Sequence, residues 1–140
     1  MISPFFLHII SIGTIITLAT IGTGIGQGLG AFGALKSLAR QDLGAPQIFR
    51  ALVIGLAIIE SGIILALVLT LLLSLMTDGS TITYPIALAE LGMALAIGIV
   101  STVVSVSSSS ALKSSCKSIS RQPFFAQKVL TLMLLAQAIM

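Results

Sequence analysis

Residues 51–76 read ALVIGLAIIESGIILALVLTLLLSLM, a run of 26 mostly apolar residues that contains one carboxylate, Glu60. As a helix this run is about 39 Å long, which is enough to cross a hydrocarbon core about 30 Å thick. Glu60 then lies nearer the middle of the bilayer than its edges. An ionisable side chain at that depth is costly and marks a functional site by default. The run therefore predicts a membrane helix that carries an ion on Glu60.

The composition of the whole chain also indicates a membrane protein. Of its 140 residues, 56% are hydrophobic and only 8% are charged, and the mean hydropathy is +1.17. A soluble globular domain has about 25% charged residues. A cleaved signal peptide is not expected, because apolar sequence continues through residues 22–33 with no polar domain after it. We therefore expect a multi-pass integral membrane protein that contacts the lipid bilayer.

Basic residues divide the chain into two predicted hairpins. The net charge of +3 is the balance of seven Lys and Arg residues and four Asp and Glu residues, and the seven basic residues all lie in two short clusters. Such clusters follow the positive-inside rule, so they indicate cytoplasmic turns and argue against nucleic-acid binding. We expect an all-α membrane fold with a first hairpin over 1–76, an outer linker over 77–84 and a second hairpin over 85–140. This gives four helices, of which the last is incomplete.

The two hairpins form a repeat. A shift of 81 residues superimposes polar residues of the two turns: Lys36 on Lys117, Arg40 on Arg121, and Gln41 on Gln122. The last apolar stretch, Val129–Met140, gives a helix of only about 18 Å. The counterpart of Glu60 would follow Met140. Either a second carboxylate follows Met140, or the second hairpin is truncated or degenerate. We favour the first, because a helix that ends in hydrocarbon leaves backbone carbonyls unsatisfied.

Small residues in the first span predict close helix packing. Five glycines alternate with other residues: Gly22, Gly24, Gly26, Gly28 and Gly30. On a helix the first, third and fifth form one stripe, and the other two form a second stripe about 160° away. Two stripes of small residues allow a helix to pack closely on both sides, as a closed ring requires. The alternative is a helix that dimerises through one face.

Polar groups near Glu60 predict a small ion site. Gln27 lies 13 residues before Arg40 and Glu60 lies 14 after Pro46, so the turn brings both to similar depth. Ser61 adds a hydroxyl, and the Ile58 carbonyl adds another oxygen. Together they can bind a proton or a hard cation such as sodium. The alternative for Gln27 is a hydrogen bond to neighbouring backbone.

These residues resemble a known family. The glycine run 22–30, the turn Ala39-Arg40-Gln41, and Glu60 twenty residues after Arg40 closely resemble the proteolipid of the rotor ring in rotary F-type ATP synthases, known as the c subunit, here in tandem form. The resemblance covers the first hairpin almost completely. In the second hairpin, serines replace three glycines: Ser105, Ser107 and Ser109. The vacuolar-type rotor proteolipids are the alternative within the rotary class.

The resemblance implies a role in ATP synthesis. Hairpins of this family form a homo-oligomeric membrane ring, and the helix carboxylate, here Glu60, carries one proton or sodium ion per step. The polar turns contact central-stalk subunits, which assigns that role to Arg40 and Gln41, and the second turn, Arg121-Gln122, fits the same pattern. The setting implied is the bacterial inner membrane. A non-catalytic pore or scaffold proteolipid is the alternative from another class.

Several consequences follow for mechanism and chemistry. Because the basic residues cluster at the turns, the cation that discharges Glu60 must come from a partner stator subunit. A proton is favoured over sodium, because Gly62 and Leu65 stand where sodium-driven members have Thr and Tyr. No nucleophile and base pair or metal cluster appears, so we expect neither an enzyme in its own right nor a bound cofactor.

Five other residues are assigned minor roles. We expect His8 and Glu90 to lie at the outer membrane interface, each near the start of its helix. Cys116 is a lone cysteine near the second turn, so we expect a small packing residue. Phe124 is expected to mark the cytoplasmic interface together with Phe125.

Overall fold

Four α-helices build the fold. The structure is a computed structural model that describes residues 3–40, 43–76 and 82–140, without the Met76 side chain. In chain order the elements are α1 (Pro4–Leu38), α2 (Ala45–Met76), α3 (Tyr84–Arg121), a short 3-10 helix (Pro123–Phe125) and α4 (Ala126–Ile139). The first three are long and apolar enough to cross a membrane, and α4 is shorter. The predicted all-α membrane fold is confirmed, whereas the division at 77–84 stays a prediction.

Local sequence explains where the helices begin and end. The Ser3 hydroxyl caps α1 by accepting a hydrogen bond of 3.2 Å from the Phe6 amide. A proline lies in the first turn of each long helix, where its missing amide hydrogen is not needed: Pro4, Pro46 and Pro85. Lys36 and Arg121 lie in the last turns of α1 and α3, where a positive charge stabilises the carbonyl end of the helix dipole.

The most extensive helix contact joins α1 to α3. Positions early in α1 meet positions early in α3, so the two helices run in the same direction. Leu18 packs against Gly98, and the Leu18 carbonyl accepts a hydrogen bond of 3.0 Å from the Thr102 hydroxyl. Further along, Gly26 packs against Ser105. These offsets are close to the 81 residues of the repeat, so equivalent parts of the two halves lie side by side.

Two buried clusters hold the helices together. The larger one lies toward the turns and joins all four helices: Ala34, Ile48, Ala51, Ile59, Leu112, Cys116, Ile119, Ala126, Leu130 and Met133. The smaller one lies toward the other end and contains Ile15, Ala19, Ala66 and Ala94. Cys116 is fully buried in the larger cluster, which confirms its predicted packing role.

The structure pairs His8 with Glu90. Both were expected at the membrane interface, and they are 4% and 5% exposed. His8 Nδ1 lies 2.7 Å from Glu90 Oε2 across the α1–α3 contact. Each side chain supplies the polar partner that permits the other to be buried. Their depth at the membrane interface stays a prediction, whereas their mutual contact was not predicted from the sequence.

Candidate ion-binding site around Glu60

Helix α2 presents Glu60 on its outer side. The buried stripe of α2 follows the three-to-four residue spacing of a helix: Ile48, Ala51, Gly55, Ile59, Ala66 and Thr70. Glu60 follows the buried Ile59 and lies off this stripe, so its side chain is exposed. Exposure here is toward the surrounding membrane or a neighbouring chain. The carboxylate is therefore accessible from the side of the helix bundle.

A groove between α1 and α2 contains Glu60. Its volume is about 260 Å³. The lining residues are Ile16, Thr20, Glu60, Ile63, Ile64 and Leu67. Apart from Glu60, the Thr20 hydroxyl is the one polar side-chain group among them. The groove therefore offers the Glu60 carboxylate few polar partners.

Ser61 and Ile58 are already joined to each other. The Ser61 hydroxyl donates a hydrogen bond of 2.7 Å to the Ile58 carbonyl. The hydroxyl oxygen can still accept a hydrogen bond or face a cation, because it has two lone pairs. Two of the oxygens predicted to surround an ion therefore lie together on one turn of α2, next to Glu60.

Gln27 lies half-buried on α1, away from the groove that holds Glu60. No hydrogen bond joins it to Glu60 in the part of the chain that the structure describes. Depth counted from the turn predicts the level of two residues, but helix rotation decides which face each one occupies. The α1 residue that lines the groove is Thr20, which the sequence argument missed. Thr20 lies on the side of α1 that faces α2, and a comparison of depths alone does not consider the side of a helix.

The second hairpin has a different polar contact near the equivalent depth. Ser108, which stands where the first hairpin has Gln27, accepts a hydrogen bond of 3.3 Å at its carbonyl from Gln137 Nε2. Gln137 is only 6% exposed, and its Oε1 atom has no partner among the described residues. In the second hairpin a buried amide on α4 therefore contacts α3 at Ser108.

The glycine stripes of α1 face different surroundings. A Cβ atom added at Gly26 would lie 2.7 Å from the Ser105 backbone oxygen, and one at Gly30 would lie 2.8 Å from Leu112 Cδ2. A Cβ atom added at Gly22 would likewise lie too close to the Cα atom of Thr102. By contrast, nothing lies within 4 Å of a Cβ added at Gly24 or Gly28. The stripe of Gly22, Gly26 and Gly30 therefore packs against α3 of the same chain, whereas the stripe of Gly24 and Gly28 has no neighbour in this chain among the described residues.

The turn residues are exposed where the structure describes them. Arg40, Arg121 and Gln122 are exposed, and Gln41 lies outside the described residues. Four basic side chains line one small cavity of about 120 Å³ at the ends of α1 and α3: Lys36, Arg40, Lys113 and Lys117. The two basic clusters of the sequence therefore meet at one end of the molecule. A stalk-contacting role for these residues stays a prediction.

Comparison with known proteins gives one consistent family. The family model for the c subunit of ATP synthase matches residues 10–73, which run from α1 into α2. The chain is 39% identical over 71 residues to the ATP synthase c subunit of Geotalea uraniireducens, covering 51% of this chain and 78% of that protein. For the same protein of Syntrophobacter fumaroxidans the identity is 40% over 70 residues, covering 49% and 78%. For that of Desulfosudis oleivorans it is 47% over 58 residues, covering 41% and 60%.

Proposed function

Because the chain belongs to the c-subunit family of ATP synthases, we propose that it is an ion-carrying rotor subunit in the membrane sector of a rotary ATP synthase. The observation that carries this proposal is the position of Glu60. It is the one carboxylate at the centre of a membrane-spanning helix among the described residues, and it opens into an apolar groove. Glu60 binds an ion from one side of the membrane and releases it to the other.

The repeat supports assembly into a ring. Within the chain, α1 packs on α3 through Gly26 and Ser105, and we call this contact surface the intra-chain interface. The equivalent contact between two chains is found by moving each residue by the 81 residues of the repeat. It pairs Ser107 of one chain with Gly24 of the next, and we call that surface the inter-chain interface. Gly24 is exposed and open, and Ser107 is only half-buried. The surface that a second copy needs is therefore free.

Further equivalent contacts agree with this arrangement. The pair Gly22 and Thr102 becomes Val103 and Ile21 of the next chain, and both of these are exposed. In this arrangement the step from the first hairpin to the second also relates the second hairpin to the next chain, and repeating it closes a ring when the rotations add up to one full turn. Close approach at glycine and serine is what packs such helices in lipid.

Rotation follows from the cost of charge in lipid. Glu60 faces lipid only in its neutral form, because a bare carboxylate against hydrocarbon is expensive. A cation of a partner stator protein stabilises the charged form and releases the ion into an aqueous path. In this proposal the polar turns, with Arg40 and Arg121, face the cytoplasm and contact the central stalk. The bacterial relatives favour a bacterial inner membrane.

We propose that the ion is a proton. A proton needs the carboxylate and one hydrogen-bond acceptor, whereas dehydrated sodium needs several oxygens. Few oxygen atoms near the groove could bind sodium. Gln27 does not line the groove, and the Ser61 hydroxyl already donates a hydrogen bond to the Ile58 carbonyl. The Thr20 hydroxyl and the lone pairs of the Ser61 hydroxyl are the oxygens left for Glu60, because the Ile58 carbonyl already accepts from Ser61 and lies inside the helix α2. This set suits a protonated carboxylate.

Carbodiimide labelling tests the site and the ion together, because the reagent modifies a protonated carboxyl in an apolar setting. We expect labelling at Glu60, and we expect millimolar sodium at fixed pH to leave its rate unchanged, as potassium does. Mass spectrometry of the labelled peptide measures both results. The Glu60→Gln variant is the control for labelling elsewhere. Protection by sodium but not potassium would instead assign sodium, with Gln27 and Ser61 as ligands.

A further inference from the structure

The buried pair of His8 and Glu90 has no part in the proposed ion path. His8 lies in the second turn of α1, and Glu90 lies in the second turn of α3. Both are therefore near the same end of the molecule, far along α1 from the basic turns. The imidazole and the carboxylate are 2.7 Å apart, and each side chain is only 6% exposed. The pair joins the first hairpin to the second.

Burial makes this contact selective. A carboxylate held away from water needs a hydrogen-bond donor or a positive charge, and a buried pair that loses one member is strongly destabilised. The imidazole meets that need as a neutral N–H donor or as an imidazolium. In the described part of the chain, no other side chain forms a hydrogen bond or ion pair with either residue. Glu90 is thus satisfied only when α3 sits on α1 in this register.

The repeat contains no second copy of the pair. A shift of 81 residues places His8 on Ala89 and Glu90 on Ile9. Ala89 and Ile9 are both exposed in the single chain, on the surface that would form the inter-chain interface. Equivalent places at the two kinds of interface therefore hold a polar pair in one case and two apolar side chains in the other.

The connection between the hairpins lies at the same end as the pair. Only seven residues, 77–83, separate α2 from α3 in the sequence. A short connection gives the two hairpins of one chain a high effective concentration for each other, in the millimolar range for flexible linkers. Glu90 therefore meets His8 of its own chain before it meets that of another.

We propose that His8 and Glu90 form an intra-chain clasp, which joins the two hairpins of one chain into a unit and leaves the apolar interface for contact between chains. A polar pair at one position of a helix interface is a known way to specify register and partner. Around an assembly of these chains, intra-chain interfaces that hold the clasp then alternate with apolar inter-chain interfaces. The clasp restricts α3 to one face of α1.

Exchange of the two side chains tests the clasp on the full-length chain. The variants are His8→Glu, Glu90→His, and the double variant that exchanges both residues. Each single variant puts two like side chains together, so we expect the folded fraction that survives heating in detergent to fall more than about tenfold. The double variant restores the pair in reverse, and we expect recovery to within about twofold of the wild-type fraction. Size-exclusion chromatography of the heated samples measures this fraction.

Co-expression of the two single variants decides whether the pair forms within one chain. Each variant carries a different tag, and a pair could then form only between a His8→Glu chain and a Glu90→His chain. We expect no recovery of the heat-resistant fraction. Recovery on co-expression, wild-type resistance of either single variant, or failure of the double variant to recover would each overturn the clasp. None of these readouts depends on ion transport, so they are separate from the test of Glu60.

Discussion

Replacing Glu60 with Gln is expected to abolish ion-coupled ATP synthesis and ATP-driven ion pumping, while the protein still assembles. Glutamine keeps the shape of the side chain but cannot gain or lose a proton at neutral pH. The exposed position of Glu60, off the buried stripe of α2, means that no core contact is lost. We expect a loss of more than about a hundredfold in coupled turnover, as for removal of an essential proton-transfer group. Measurement in proteoliposomes, normalised to assembled complex, checks this.

The matched control is Glu90→Gln, which alters the other carboxylate that the structure describes. Glu90 is buried against His8 and remote from the groove of Glu60, so this change is expected to affect stability and not turnover per assembled complex. Wild-type turnover by the Glu60→Gln variant would show that the ion is carried elsewhere, and the rotor proposal would be wrong.

Replacing Gly26 with Leu is expected to prevent the chain from folding into its four-helix unit. Even a Cβ atom at this position would lie 2.7 Å from a backbone oxygen of α3 and 3.2 Å from Ser105 Cβ. Backbone cannot move aside as a flexible side chain does, so α1 and α3 must separate along their length. Overpacking of a filled contact typically costs about 1–3 kcal/mol, and we expect at least the upper value here. The yield of heat-resistant chain in detergent measures the loss.

Gly24→Leu separates folding from assembly. Gly24 is two residues away on the same helix, but no atom lies within 4 Å of a Cβ added there. We expect this variant to fold as the wild type does and to fail in assembly, because its Leu enters the inter-chain interface. Ser107→Leu, on the opposite side of that interface, should be milder than Gly26→Leu. Equal folded yields of Gly26→Leu and Gly24→Leu would contradict the described contact of α1 with α3.

Much of the fold could be predicted because hydrophobicity alone determines it. The apolar run around Glu60 and the basic clusters at the turns predict helices, hairpins and membrane insertion without knowledge of any contact. The glycine spacing likewise predicts two packing stripes. It could not show that Gly26 faces the chain's own α3 while Gly24 stays open, since both stripes look alike in sequence.

The contacts that could not be predicted from the sequence depend on helix pairing. His8 and Glu90 are 82 residues apart and each stands alone in its segment. They become partners only because α1 and α3 lie parallel at an offset close to the repeat. A search for polar pairs at that offset would have found them. Thr20 was missed for a similar reason, because the rotation of α1 about its axis is set by its contact with α3.

The apolar lining of the Glu60 groove also has a consequence for a cell at rest. When the motor does not turn, the voltage across the membrane still drives any ion that can cross, at about 2.3 kcal/mol per elementary charge and 100 mV. A carboxylate in a wet groove could exchange ions with both sides and discharge that voltage. Ile63, Ile64 and Leu67 surround Glu60 with hydrocarbon instead. In this proposal the apolar groove therefore limits the leak of ions across the membrane while the rotor is at rest.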